Sequence, residues 1–182
     1  MSHHAHAIVS TGKPFAFDAK NETAFQKLLP QYPTKRAVVL PALWLAQEQE
    51  GHLTVESMEY VAKRLGQSPV SVFAVVEFYT MFKTEPVGKH QIQLCQTLSC
   101  DMRGCEDLQG TIERKLGIGP GERTPDGKFS FELVECLGSC GTAPVMRMHN
   151  RYWENLTVEK LERIIDACRE GRDPSSEDFN RG

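Results

Sequence analysis

The chain has 182 residues, enough for one domain or two small ones. Hydrophobic residues make up 40% and charged residues 25%, a balance that supports a buried core and excludes wholesale disorder. A formal net charge of −3 excludes a strong basic field for nucleic acid or an anionic membrane surface.

The opening Met1-Ser2-His3-His4-Ala5-His6-Ala7 has no apolar core of signal-peptide length, so export is not expected. Residues 1–20 are polar and without periodicity and are read as a flexible tail, which makes its three histidines a solvated leader rather than a metal site. The longest apolar stretch, Ala37 to Ala46, is interrupted by Pro41 and is too short to cross a bilayer. The expected location is the cytoplasm, where thiols stay reduced and cysteines serve as ligands or catalysts more often than as disulfides.

Residues 21–83 read as a helical bundle. Phe25, Leu28 and Leu29 share one face of a short helix over Glu22–Gln31. Lys35 to Glu50 is a stronger helix, with Val38, Val39, Leu43 and Ala46 at helical spacing, Pro41 early, and Gly51 as its stop. Thr54 caps the next helix and Gly66 ends it, with Met58, Val61, Ala62 and Leu65 as its apolar stripe. Ser68 and Pro69 start another, whose inner face is Val72, Val75, Val76 and Tyr79. Thr84 to Lys89, with Pro86 and Gly88, breaks the pattern and marks a domain junction.

Residues 89–171 change period. His90 to Cys95 alternates as a strand, Asp101 to Leu116 is one helix with Leu108, Ile112 and Leu116 in register, and Gly117 to Gly127 is a loop. Phe129 to Cys136 is a second strand, Pro144 to His149 and Arg151-Tyr152-Trp153 are short ones, and Thr157 caps a final helix carrying Leu161, Ile164 and Ile165. This β-α-β-β-α order is similar to the thioredoxin arrangement. The expected class is α+β, a helical bundle followed by a thioredoxin-like domain, and residues 172–182 read as a loose tail.

Four of the six cysteines form two close pairs, Cys95/Cys100 and Cys136/Cys140, with 35 residues between Cys100 and Cys136. Each pair follows a predicted strand. If those strands are neighbours in a parallel sheet, all four sulfurs emerge at its carboxyl edge, where ligand sites of open α/β sheets lie. Four thiolates are the ligand set of a [2Fe–2S] cluster, and glycines such as Gly138 and Gly141 let backbone N–H groups approach the sulfurs. The start of the predicted helix near Cys100 would offset negative charge. A tetrahedral Cys₄ zinc site also uses paired cysteines, so spacing alone leaves both metals open, although structural zinc sites mostly use tighter knuckles. Cys105, five positions beyond Cys100 in the same predicted helix, points about 140° away and cannot share the site. Cys168 lies on the final helix, and packing or plain surface placement is expected for both.

No Walker sequence or nucleophile elbow occurs, and Gly117-Ile118-Gly119-Pro120-Gly121 follows a helix rather than a strand, so it is not a dinucleotide fingerprint. His52, His90 and His149 are isolated. A redox site without a flavin or nicotinamide site points to an electron carrier that serves another subunit. Neither pair is Cys-x-x-Cys, which weighs against a thiol oxidoreductase.

Leu40-Pro41-Ala42-Leu43, Phe78-Tyr79-Thr80-Met81-Phe82, Pro86-Val87-Gly88-Lys89, the Cys95/Cys100 pair and Glu135-Cys136-Leu137-Gly138-Ser139-Cys140 with Ala143-Pro144, continued by Tyr152 and Leu156-Thr157, form a specific combination. With them the chain resembles the thioredoxin-like [2Fe–2S] subunit of the NADH-oxidising module of respiratory complex I, the E-type subunit family of NADH-quinone oxidoreductase, from about Lys35 to Cys168. The resemblance implies that Cys95, Cys100, Cys136 and Cys140 bind one [2Fe–2S] cluster. It further implies docking beside a flavoprotein subunit that holds FMN and binds NADH, within the peripheral arm on the cytoplasmic side of the inner membrane. The helical first half would be a docking element. The same resemblance extends to NAD-linked formate dehydrogenases and bidirectional hydrogenases. A zinc-stapled interaction module without a redox role is the alternative from another class. Gly141-Thr142 departs from the polar pairs often found in relatives, leaving the ligands intact but changing the hydrogen bonding around them. Asp101, Glu106 and Glu135 lie near the ligands in sequence; unless screened by solvent, their charge opposes reduction and predicts a potential on the order of −400 mV.

Overall fold

The computed structural model describes residues 8–148 and 151–174. The chain divides into two compact units between Pro86 and Val87. Among the described residues the regular elements of the first unit are helices, and a mixed sheet with helices builds the second, which is the expected α+β class.

In the first unit, Asp18 caps α1 (Ala19–Leu28), its carboxylate accepting from the Asn21 N–H at 2.7 Å. A 3-10 turn over Lys35–Val38 leads into α2 (Val39–Glu50), where Pro41 stands in the first turn and costs no intrahelical bond. Thr54 and Ser57 form a reciprocal capping box at the start of α3 (Val55–Leu65). Ser68 caps α4 (Pro69–Phe78), with Pro69 as its first residue. Leu43, Leu53, Met58, Val61 and Val72 meet in a fully buried core. The inner face of α4 stops at Val76: Val75 is half-buried, and Tyr79 lies beyond the helix end, 37% exposed.

Residues 8–20 are not a tail. Phe15 and Phe17 are buried, with their rings 5.3 and 5.2 Å from that of Tyr60 at steep angles. The Val55 N–H donates to the Val9 carbonyl at 3.1 Å, and the Ser10 hydroxyl bonds Glu56 at 2.6 Å. An extended strap has no helical or alternating period to read, so two aromatic side chains two positions apart carry its anchoring. The expectation for residues 1–7 falls outside the described residues.

The second unit holds a four-stranded sheet, ordered β2-β1-β3-β4: β1 (His90–Cys95), β2 (Phe129–Val134), β3 (Met146–Met148) and β4 (Arg151–Trp153). β1 and β2 pair in parallel, His90 opposite Phe129 through Cys95 opposite Val134. The β1–β3 and β3–β4 pairs are antiparallel. Ile92, Leu94, Phe129 and Phe131 share a core with Leu108, Ile112, Leu161 and Ile164 from the helices.

The helix read over Asp101–Leu116 is two helices, α5 (Leu98–Asp101) and α6 (Cys105–Leu116). Gly104, at φ +94°, takes a left-handed conformation that side-chain-bearing residues rarely adopt and breaks the run there. Leu108, Ile112 and Leu116 are in register because all three lie beyond the break. The last helix, α7 (Val158–Arg169), is capped by Thr157 and buries Leu161, Ile164 and Ile165. The chain beyond it is not loose at first: the Arg172 N–H donates to the Ala167 carbonyl at 2.9 Å and Pro174 is buried. Residues 175–182 lie outside the described residues, as does His149. Among the described residues no helix is long and apolar enough to cross a membrane.

Candidate metal centre

Parallel pairing of β1 with β2 ends both strands at the same sheet edge, Cys95 closing β1 and Cys136 standing two residues past β2. The first loop leaves the sheet with its backbone already committed. The Cys95 N–H donates to the Val145 carbonyl and the Gln96 N–H to the Val134 carbonyl, each at 3.1 Å, and the Cys100 N–H turns back onto Thr97 at 2.8 Å. Cys95 and Cys100 are both buried. Cys136 and Cys140 are exposed, with their sulfurs 3.5 Å apart.

The loops interleave. The backbone of Leu137, in the second loop, acts on Cys95 in the first; the Thr97 hydroxyl acts on Cys136, and the Ser99 hydroxyl on Cys140. Burial opposes the Cys95 thiolate, yet the Thr97 hydroxyl at 3.2 Å and the backbone of Thr97 and Leu137 outweigh it and lower its pKa. Cys136 is lowered chiefly by the Gly138 N–H, which reaches its sulfur at 3.4 Å from a backbone at φ +79°. Burial and the neighbouring Cys95 push Cys100 up to about 11. Cys140 is raised by its partner Cys136, first through the hydrogen bond between the two sulfurs and then because two thiolates side by side repel.

This donor set fits a sulfur-bound cluster. Backbone N–H groups and hydroxyls face the sulfurs, as the negative charge of a thiolate-ligated iron–sulfur core requires. Among the described residues no three Cys, His, Asp or Glu side chains close on one point as a single metal ion would require. The sulfurs stand instead as two pairs, and a [2Fe–2S] core takes two sulfurs at each iron.

The remaining expected features divide. Cys105 does not lie across a helix from Cys100 as expected, since the two occupy different helices. Its buried thiol donates to the Cys95 carbonyl at 3.0 Å, and burial raises its pKa to about 11. Cys168 is buried in the α7 packing. Cys100 is the third residue of the four-residue α5, and the longer helix expected to start beside it, α6, starts at Cys105 instead. Asp101, Glu106 and Glu135 are exposed, where solvent and salt screen their field on the site.

One group at the site is absent from any reading of the sequence. Glu154 follows β4 and reaches the Cys136–Cys140 loop, where its carboxylate accepts from the Ser139 and Thr142 hydroxyls. The β3–β4 hairpin brings it there, across a chain separation that no motif spacing encodes.

The profile of the thioredoxin-like [2Fe–2S] ferredoxins matches residues 25–169. The chain belongs to that family. A Rickettsia bellii protein, named as the E-type subunit of NADH-quinone oxidoreductase, is 46% identical over 158 residues, spanning 85% of this chain and 95% of the relative. A Thermus thermophilus protein named NADH-quinone oxidoreductase subunit 2 is 40% identical over 159 residues, spanning 86% and 87%. Among solved structures, an NAD⁺-reducing [NiFe]-hydrogenase in its air-oxidised state superposes with a TM-score of 0.68 at 20% identity, over 76% of this chain and 24% of the hydrogenase chain. That likeness is one of fold.

Proposed function

We propose that this chain is the [2Fe–2S] electron-transfer subunit of an NADH:quinone oxidoreductase, with Cys95, Cys100, Cys136 and Cys140 as the cluster ligands. The observation that carries the reading is the parallel pairing of β1 and β2, which brings both cysteine pairs to one sheet edge. Relatives above 40% identity that are named as E-type subunits of NADH-quinone oxidoreductase support complex I over a formate dehydrogenase or hydrogenase setting.

The cluster supplies a one-electron acceptor and donor. The chain's own residues set its surroundings. Buried Cys95 and Cys100 hold one side away from water, while exposed Cys136 and Cys140 leave the other side at the surface for a redox partner. The Gly138 N–H donates to the Cys136 sulfur, and the Thr97 hydroxyl stands 3.2 Å from the Cys95 sulfur; both contacts favour the thiolate form needed for ligation. The partner in this reading is the flavoprotein subunit that holds FMN and oxidises NADH. The chain then sits peripherally on the cytoplasmic side of the inner membrane, held through the complex.

Absorbance and EPR spectra of the purified full chain, with iron and sulfide counted, test the reading. A [2Fe–2S] signal after reduction is expected, lost on Cys→Ala replacement at position 95, 100, 136 or 140 and kept on Cys105→Ala and Cys168→Ala. A colourless chain with stoichiometric zinc overturns it in favour of a structural zinc module. Co-purification with the flavoprotein subunit tests the partner.

A further inference from the structure

The carboxylate of Glu154 stands against the polar side of the exposed cysteine loop. Its Oε1 accepts from the Ser139 hydroxyl, immediately before Cys140, and from the Thr142 hydroxyl, two residues after it, at 2.7 Å. The two hydroxyl oxygens are 2.8 Å apart, and Thr142 also closes a tight turn through its N–H to the Ser139 carbonyl at 3.1 Å. Each hydroxyl has one proton to give, and the two lone pairs of Oε1 accept both at once. These two hydroxyls, the Ser139 contact foremost, hold the Glu154 carboxyl below the ordinary range for glutamate.

Glu154 is itself fixed from behind. The Asn155 N–H donates to the Thr142 carbonyl at 2.7 Å, and the Lys160 ammonium donates to the Glu154 carbonyl at 2.6 Å. Asn155 takes a left-handed φ of +47°, which turns the chain out of β4 towards the Thr157 cap of α7. The loop is thereby tied to the end of the β3–β4 hairpin and the start of α7.

We infer that Glu154 is a positioning residue for the cluster: it clamps the Ser139-Cys140-Gly141-Thr142 turn and so sets where the Cys140 sulfur stands, and its charge bears on the redox centre. The inference rests on the proposed ligand role of Cys140. Ser139 and Thr142 gain a function with it, as the two hydroxyls through which the clamp acts.

Three variants of the full chain separate the contributions. Glu154→Gln keeps an oxygen acceptor but removes the charge. Its iron retention should stay near the parent's while the midpoint potential moves upward, because one negative charge near the cluster is gone. Glu154→Ala removes acceptor and charge together. It should lose iron to a chelator about 10-fold faster or more, with altered EPR g-values and an unchanged circular dichroism spectrum. Thr142→Val removes one hydroxyl with little change in shape and should fall between parent and Glu154→Ala; it carries the test if Glu154→Ala does not fold. Parent iron-loss rate and parent g-values in Glu154→Ala or, failing that, in Thr142→Val overturn the inference, as does an unmoved potential in Glu154→Gln. Cys140→Ser is run alongside. If it keeps the parent's iron, sulfide and spectrum, the ligand assignment itself fails. If it changes them while the Glu154 variants do not, only the clamp fails.

Discussion

In the Cys95–Cys100 loop both cysteines are 2% exposed, and the backbone that carries them is bonded into β1, β2 and the segment before β3. In the Cys136–Cys140 loop both thiols are exposed, and the turn is held by hydroxyls, a carboxylate and a left-handed glycine. One half of the site is thus an outgrowth of the hydrophobic core, while the other is a surface turn fixed by polar ties. Damage to the first half should therefore unfold the domain. Damage to the second should release the metal while leaving the fold standing.

The largest contrast is expected in thiol reactivity. In cluster-free chain at pH 8, Cys100, with its pKa pushed up to about 11, is thiolate in only about one molecule in a thousand. Cys136 is exposed and lowered by the Gly138 N–H, so its thiolate persists to lower pH than that of an ordinary cysteine. The thiolate is the nucleophile, so alkylation slows as the pH falls through each pKa. Peptide mapping by mass spectrometry after brief iodoacetamide treatment should find Cys136 modified well before Cys100, with Cys100 gaining ground only as the pH approaches 11. Equal labelling at pH 8 would break the comparison.

The next effect is in stability. Leu94, fully buried beside Cys95, anchors the first loop to the core, and Leu94→Ala should cost about 2–5 kcal/mol in urea unfolding of the cluster-free chain. Leu137, in the second loop, is half-buried and packs only against the edge of that core. Leu137→Ala should cost less than half as much by the same measurement, and equal losses would erase the distinction between the loops.

The smallest effect sharpens the contrast. Nothing stands within 4 Å of a Cβ built on Gly138, so Gly138→Ala meets no clash. Only the left-handed backbone at φ +79° resists it, at about 1–2 kcal/mol. Relaxing that strain should disturb the Gly138 N–H contact to the Cys136 sulfur. Iron content after desalting should fall while the urea midpoint of the cluster-free chain changes less than for Leu94→Ala. Full iron retention would show that the turn tolerates the change.

These contrasts follow how far each half could be read in advance. The core-built half was legible: alternation marked His90–Cys95, and the β1–β2 neighbourhood followed from a topology condition; elsewhere in the chain the caps at Thr54, Ser68 and Thr157 stand where side-chain chemistry puts them. The break at Gly104 was hidden because every apolar position used to read that helix lies on its far side. Phe15 and Phe17 were hidden because an extended strap has no period. The polar ties of the second loop were least legible. Glu154 meets Ser139 and Thr142 only because a hairpin folds back, and the sequence has no spacing rule for that meeting.

The interruption at Gly104 has a bearing on assembly. Besides the two pairs a fifth thiol, Cys105, stands close to this sheet edge, its sulfur 3.0 Å from the Cys95 carbonyl. Cys105 opens the helix beyond the break and lies buried there, its S–H occupied by the Cys95 carbonyl; its pKa of about 11 matches that of Cys100, so that bond, not protonation, sets it apart. For the proposed quartet of ligands, that bond keeps the surplus sulfur occupied before any metal arrives.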